Sequence, residues 1–407
     1  VSYNYFSGSY SAEDVRFLLQ PIAVENTPVP LKEKLIQSGQ KHYSQMLTHE
    51  KLPSAMYLQL FEQALADNRQ LMAEHSLILA QKILHSRPNG ITLVSLARAG
   101  TPVGVILKRI LAAHFAQDVA HYSISIVRDM GIDENALLHI LSRHSPASLV
   151  FVDGWTGKGV IARQLQTSLQ LFAERYGVNI PAELYVLADL SGSAFVSASA
   201  EDYLIPSSIL NATVSGLVSR SVLDKTQLSA SDYHGCYFYQ EYADADLSRH
   251  FVDTIMDSVS AILAEMAVNQ EITLGYVGNT LLNYRSQLVE PVMDSVSTIL
   301  AEAALNQELT LDTVNKLLLN NRSKQFLQWV RQVYGINDQN LIKPGIGEAT
   351  RVLLRREADI LLLRDSGDAS VKHLCYLAET KNIPVRIYPE LPYRAAALIA
   401  ALSKEQP

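Results

Sequence analysis

Cysteine is nearly absent: Cys236 and Cys375 are the only two in 407 residues. That excludes a disulfide framework and a cysteine zinc cluster, and it points to a reduced, cytoplasmic protein. Long apolar runs are missing as well. No uninterrupted stretch approaches the ~18 residues of a spanning helix, so no membrane association is expected. The first residues, VSYNYFSGSYSAEDV, have neither a basic nor an apolar region, so no secretory signal is expected. Net positive charge is also lacking. The formal charge of −7 gives no general reason to expect nucleic-acid binding. What the chain has is apolar material, 48% hydrophobic against 18% charged, which supplies a sizeable core and excludes whole-chain disorder. Its length suits two or three domains.

The charge is uneven. From Gln325 onward there are 11 Lys+Arg and 9 Asp+Glu, whereas residues 1–324 carry a balance of −9. This reads either as ordinary fluctuation or as a basic module for a polyanionic partner. Residues 1–90 read as mostly helical, the N-terminal part of the first domain. Ser11, Glu13 and Asp14 look like a helix start, and Leu58, Phe61 and Leu65 fall at helical spacing. Residues 91–254 alternate between strands (Ile91–Ala97, Tyr122–Val127, Ser148–Asp153, Glu183–Leu190) and helices near 102–116, 133–144 and 158–176. Such alternation predicts an α/β fold, a parallel sheet with helices on both faces and ligands at the carboxyl ends of the strands. Residues 255–324 contain a duplication with a shift of 37 and 21 identities in 33 positions, read as a helical hairpin insert. Residues 325–407 have an α/β pattern of their own. Helices are expected at Phe326–Tyr334, Gly345–Arg356, Val371–Thr380 and Tyr393–Leu402, and strands at Asp359–Leu363 and Pro384–Tyr388.

Three predicted loops carry chemistry. In SLVFVDGWTGKG a strand ends in Asp153, and Gly154, Trp155, Thr156, Gly157, Lys158 and Gly159 lead into a helix. Glycines let backbone approach a phosphate, the helix N-terminus favours an anion, Thr156 offers a hydroxyl and Lys158 a point charge. Asp153 suits sugar hydroxyls or a hydrated Mg2+. The spacing does not match the Walker pattern. In LARAGTPVG, Arg98, Ala99, Gly100 and Thr101 present a second helix N-terminus, with Pro102 in its first turn. In VRDMGID, Arg128 suits a phosphate and Asp129 a metal or a proton. The bland alternative for each is a plain βα turn or a solvated charged turn. Because Arg98 and Lys158 sit in predicted loops, removing either is expected to change stability by no more than ~0.5 kcal/mol.

These loops resemble those of phosphoribosyltransferases. With GSYSAEDVRFLLQPI, HYSQML, VSLARAGTPVGV, HYSISIVRDMGID and VFVDGWTGKG, the chain over most of 1–255 resembles the phosphoribosyltransferase-like family of bacterial tellurite-resistance and stress clusters, also labelled cysteine protease StiP. The resemblance implies an enzyme that binds phosphoribosyl pyrophosphate (PRPP) or a related ribosyl phosphate with Mg2+. Thr156–Gly159 would hold the 5-phosphate and Arg98–Thr101 the pyrophosphate. Asp153, Arg128 and Asp129 would serve the reaction, with Asp153 and Asp129 as metal ligands. Phosphoribosyltransferases generally carry two adjacent acids before the phosphate loop, and here Gly154 takes the second place. That departure keeps open a binding module without turnover.

The tail stretch LIKPGIGEATRVLLRREADILLLRD resembles the Pelota-type RNA-binding fold, which implies structured RNA as a partner. Gly345, Glu348 and Arg351 match the pattern, and Gly347 replaces an asparagine. Lys343, Gly345, Glu348, Arg351, Arg355 and Arg356 are the expected RNA contacts, their cations acting on phosphates. A domain for protein contact is the alternative. The cysteine-protease label would need Cys236, two residues after His234, as nucleophile.

Overall fold

The computed structural model of the chain describes residues 6–268, 311–356 and 358–399. Numbered in chain order, the described strands are β1 (Arg16–Leu18), β2 (Gln20–Pro21), β3 (Thr92–Ala97), β4 (Ala120–Val127), β5 (Gly131–Ile132), β6 (Leu149–Thr156), β7 (Leu184–Asp189), β8 (Val196–Ser199), β9 (Gly235–Cys236), β10 (Ile342–Pro344), β11 (Ala358–Leu363), β12 (Val385–Ile387) and β13 (Ala395–Ile399). The described helices are α1 (Val29–Gln37), α2 (Ala55–Ser86), α3 (Gly100–Phe115), α4 (Glu134–Leu141), α5 (Val160–Tyr176), α6 (Ser248–Val268), α7 (Leu311–Tyr334), α8 (Ile346–Arg355) and α9 (Lys372–Thr380).

The main sheet has the order β1-β4-β3-β6-β7-β8. These strands are parallel, and β5 pairs antiparallel with β4. Helices cover both faces, which is why β3 and β7 are buried along nearly their whole length. On one face lies a core that includes Phe61, Val105, Ile106 and Val150, and on the other a core that includes Leu96, Ile124, Phe151 and Leu165. A smaller sheet, β10-β13-β11-β12, builds the tail. The mixed α/β architecture with a small C-terminal sheet domain is therefore as the sequence implied. No helix among the described residues is long and apolar enough to cross a membrane.

Three sequence readings are corrected. Residues 11–14 form a turn and 16–18 the edge strand β1, not a helix, because β4 offers Arg16–Leu18 a parallel ladder. The helical reading of 1–90 holds for α2, one helix of 32 residues whose N-cap Ser54 accepts the Tyr57 N–H. The predicted helix from Tyr393 is instead β13, central in the small sheet and antiparallel to both β10 and β11. Alanine usually favours helix, but Ala395, Ala396 and Ala397 are fully buried, and their small side chains let α8 pack on the strand. Finally, β6 does not stop at Asp153. It continues through Thr156, because β7 runs alongside it and pairs Trp155 with Ala188 and Thr156 with Asp189. Much of the duplication, residues 269–310, lies outside the described residues, and the insert reading with it.

Candidate functional site

β3 ends at Ala97, and a cis peptide leads to Arg98 and directly into α3. Glycine is needed at position 100. A Cβ there would stand 2.4 Å from the Val152 carbonyl oxygen of β6. This approach sets the Arg98–Gly100 turn beside Asp153, so two of the expected loops meet at one sheet edge. Thr101 is fully buried, with its hydroxyl 2.8 Å from Ser123 Oγ, and it packs the interior instead of facing an anion.

The Arg98 guanidinium also turns inward. It pairs with Glu50, donates to the Val218 carbonyl at 3.0 Å and donates to Asn211 Oδ1 at 2.8 Å. The second Glu50 oxygen accepts the Ala212 N–H at 2.9 Å. With side-chain exposures of 16% and 15%, this pair is a strut between two loops. The expectation that Arg98 can be removed cheaply is thereby corrected, since a half-buried pair leaves an uncompensated partner when broken.

After β4, Arg128 donates to Asn340 Oδ1 of the tail at 2.6 Å. Its guanidinium lies 5.6 Å from the centroid of the Tyr43 ring, and that of Arg220 lies at the same distance from the same ring. Tyr43 was not singled out by sequence reasoning, although it lies in HYSQML, one of the stretches that carry the resemblance. Asp129 is exposed, with φ +66°. Asp129 and Asp153 follow β4 and lie in β6, with β3 between.

Asp153 is half-buried. Desolvation pushes its carboxyl up to about 7, against the downward pull of the Gly154 N–H it accepts at 2.8 Å and of Arg351. The Thr156 hydroxyl accepts the Gly159 N–H at 3.1 Å and lies 3.3 Å from Ser193 Oγ, at the start of α5. Lys158 is pushed down to about 8 by burial and by Lys343. Its ammonium donates to the tail carbonyls of Gln339 at 2.5 Å and Ile342 at 2.9 Å. Of the expected phosphate loop this leaves the Gly157–Gly159 turn, where a Cβ on Gly157 would stand 3.4 Å from the Pro344 carbonyl oxygen.

The tail residues expected to read RNA mostly face the core. Gly345 has φ +88°, and a Cβ on it would stand 2.6 Å from Leu190. Gly347 lies against the Trp155 ring, and the Arg351 guanidinium sits 5.7 Å from that ring's centroid. Arg351 also pairs with Glu348 at 3.2 Å, and Lys343 approaches Glu348 at 4.0 Å. Burial pushes Glu348 up, but Arg351, Lys343 and Lys158 outweigh it and hold the carboxyl below its usual range. Arg355 donates to the carbonyls of Ser208, Ile209 and Leu210 at 3.0–3.1 Å. Arg356 is exposed. Asp202, which sequence reasoning missed, clamps the seam. Its two oxygens accept the N–H groups of Ile346 at 2.7 Å and Arg394 at 2.9 Å.

Cys236 is fully buried in β9, paired with Pro21 of β2, and burial pushes its thiol up to about 12. The His234 imidazole lies 2.8 Å from Ser125 Oγ. Burial lowers its pKa, with Asp133 pulling the other way.

Residues 8–256 match the family described as tellurite-like stress resistance cysteine protease StiP, and residues 321–401 match the PELOTA RNA binding domain. A relative, the cysteine protease StiP of Acinetobacter baylyi, is 39% identical over 409 residues, 98% of this chain and 95% of that protein. Among solved structures, the hypoxanthine phosphoribosyltransferase of Trypanosoma cruzi is similar over 33% of this chain and 82% of its own, at 15% identity and a TM-score of 0.24. A variant of that enzyme complexed with IMP matches over 45% and 87%, at 15% identity and a TM-score of 0.25. Likeness at that level carries no argument about the site.

Proposed function

The chain belongs to the StiP family of tellurite-like stress resistance proteins and carries a Pelota RNA-binding domain, and from that premise we propose a ribosyl-phosphate enzyme of the phosphoribosyltransferase type. It works in the cytoplasm, with structured RNA as the partner of its tail. The observation that carries this reading is the convergence at one sheet edge. The β3 turn is pressed against β6 at Val152–Asp153, and Arg128 and Lys158, from the β4 and β6 loops, both reach the same tail segment at 339–342.

In this reading the Gly157–Gly159 turn and the start of α5 bind a phosphate, with Lys158 as its point charge. Arg128, and Arg220 across Tyr43, take a second phosphate group. Displacement at the anomeric carbon builds positive charge on the ribose, and Asp153 offsets that charge in its ionised form. Its elevated pKa sets the pH above which this form dominates. Holding both phosphates fixes the ribose between them, so positioning supplies most of the acceleration. Among the described residues no group of three or more His, Cys, Asp or Glu side chains is placed to hold a metal ion. Magnesium enters this proposal only as the counter-ion of the ligand's own phosphates, the usual habit of that ion.

A cysteine protease needs an accessible thiol with a lowered pKa beside a base. Cys236 is fully buried with a raised pKa, so this reading is disfavoured. Calorimetry with PRPP and ribose 5-phosphate, with and without Mg2+, tests the proposal, and binding is the expected result. No heat at millimolar ligand with folded protein removes it. Binding with no pyrophosphate release across a panel of nucleobases favours the module without turnover, the reading that Gly154 motivates.

A further inference from the structure

The proposed RNA face and the proposed phosphate turn are the same seam seen from two sides. Lys158 directs two of its three donors at the carbonyls of Gln339 and Ile342, and Pro344 lies against Gly157. From the tail, Gly347 and Arg351 meet Trp155, and Arg355 is held by the carbonyls of Ser208, Ile209 and Leu210. Apolar packing backs the polar contacts, because Ile346, Ala349 and Leu353 of α8 belong to one continuous core with Tyr203 and Ile205. Gly347 stands where the related RNA binders have asparagine, and here it gives room to the Trp155 ring.

We propose that this docked arrangement is self-occluded: the polyanion-binding face of α8 and the phosphate turn of the core cover each other. Structured RNA reaches Lys343 and Arg355 only when the tail lifts, and the lifting uncovers Gly157–Lys158. The inference rests on the function proposed above, and it adds a coupling that function does not require. Two ligands that both select the undocked form must each tighten the other, by reciprocity of binding free energies.

The test uses the full chain, a labelled RNA hairpin at low salt read by anisotropy, and PRPP with Mg2+. Asp202→Ala removes the clamp without touching any residue assigned to either ligand. Small-angle scattering reports undocking as a larger radius of gyration. The expected results are about tenfold tighter RNA binding by Asp202→Ala than by wild type, and tighter RNA binding by wild type when PRPP is saturating. Should Asp202→Ala fail to fold, Glu201→Ala, which removes the 3.2 Å partner of Arg394, replaces it. An expanded variant that binds RNA no better than wild type overturns the occlusion, and so does RNA bound to a form that stays compact. RNA ignored by both forms, even when expanded, overturns the RNA reading itself. Loss of PRPP binding alone leaves the RNA comparison intact and marks a failure of the ribosyl-phosphate reading.

Discussion

Arg98 and Lys158 are both cations on βα turns of one sheet edge, and the fold treats them differently. Arg98 meets a carboxylate and two further oxygens within its own domain. Lys158 donates to backbone carbonyls of the other domain, with the Glu348 carboxylate acting on it without a direct hydrogen bond. A carboxylate partner neutralises a charge, whereas carbonyl dipoles merely solvate it. The first arrangement spends a cation on the fold, and the second leaves its charge largely unneutralised.

The sharpest way to break this contrast is to remove each cation in turn. Arg98→Ala strands Glu50 and should cost about 3–5 kcal/mol of stability, read by urea denaturation. A loss under about 1 kcal/mol would mean that Arg98 is no strut. Lys158→Ala should weaken PRPP binding by about 1.5–3 kcal/mol in calorimetry while leaving the core's unfolding midpoint nearly unchanged. Wild-type affinity in that variant would end its assignment to the anion.

Acidity gives a third handle. Asp153 holds its proton in the fold to about 7, above the ordinary carboxylate value of 3.8. Its contribution to stability is therefore complete below about 4 and is lost as pH climbs through about 7. Asp153→Asn should match wild type at pH 4 and exceed it at pH 8 by about 1–2 kcal/mol, a discounted figure because the residue keeps some contact with water. Equal melting temperatures at both pH values would show that the carboxyl is hydrated like any other. Cys236→Ala should cost about 1 kcal/mol through its small cavity and leave any turnover unchanged. The mildest effect belongs to exposed Arg356. Arg356→Glu should stay within ~0.5 kcal/mol of wild-type stability and lower the salt slope of RNA binding by about 0.9 if it neutralises one phosphate. An unchanged slope would take Arg356 out of the RNA contact.

Local pattern explains what the sequence made legible. Strand β3, the turn through Arg98 and Gly100, and helix α8 follow from residues within a dozen positions of one another. The continuation of β6 through Gly154, Trp155 and Thr156 depends on β7, some thirty residues away, and no local signal separates it from a glycine loop. β13 is strand because two neighbours sandwich an alanine run that would form helix alone. The docking contacts are harder still: Arg128 with Asn340, Lys158 with Ile342 and Asp202 with Ile346 join residues more than 140 positions apart. Asp202 sits in EDYLIP, which reads as an ordinary loop. Cations that look alike in sequence thus divide into struts and held charges only after the domains meet.

The Asp202 clamp and the two amides it holds belong to one polypeptide, so closure is unimolecular. Joining two modules in one chain makes their contact intramolecular, so its strength is independent of protein concentration. An affinity too weak to detect between separate halves is then enough to keep them together. Diluting the protein does not open it. On the proposal above, RNA and ribosyl phosphate open the seam, and the number of copies of the protein present does not.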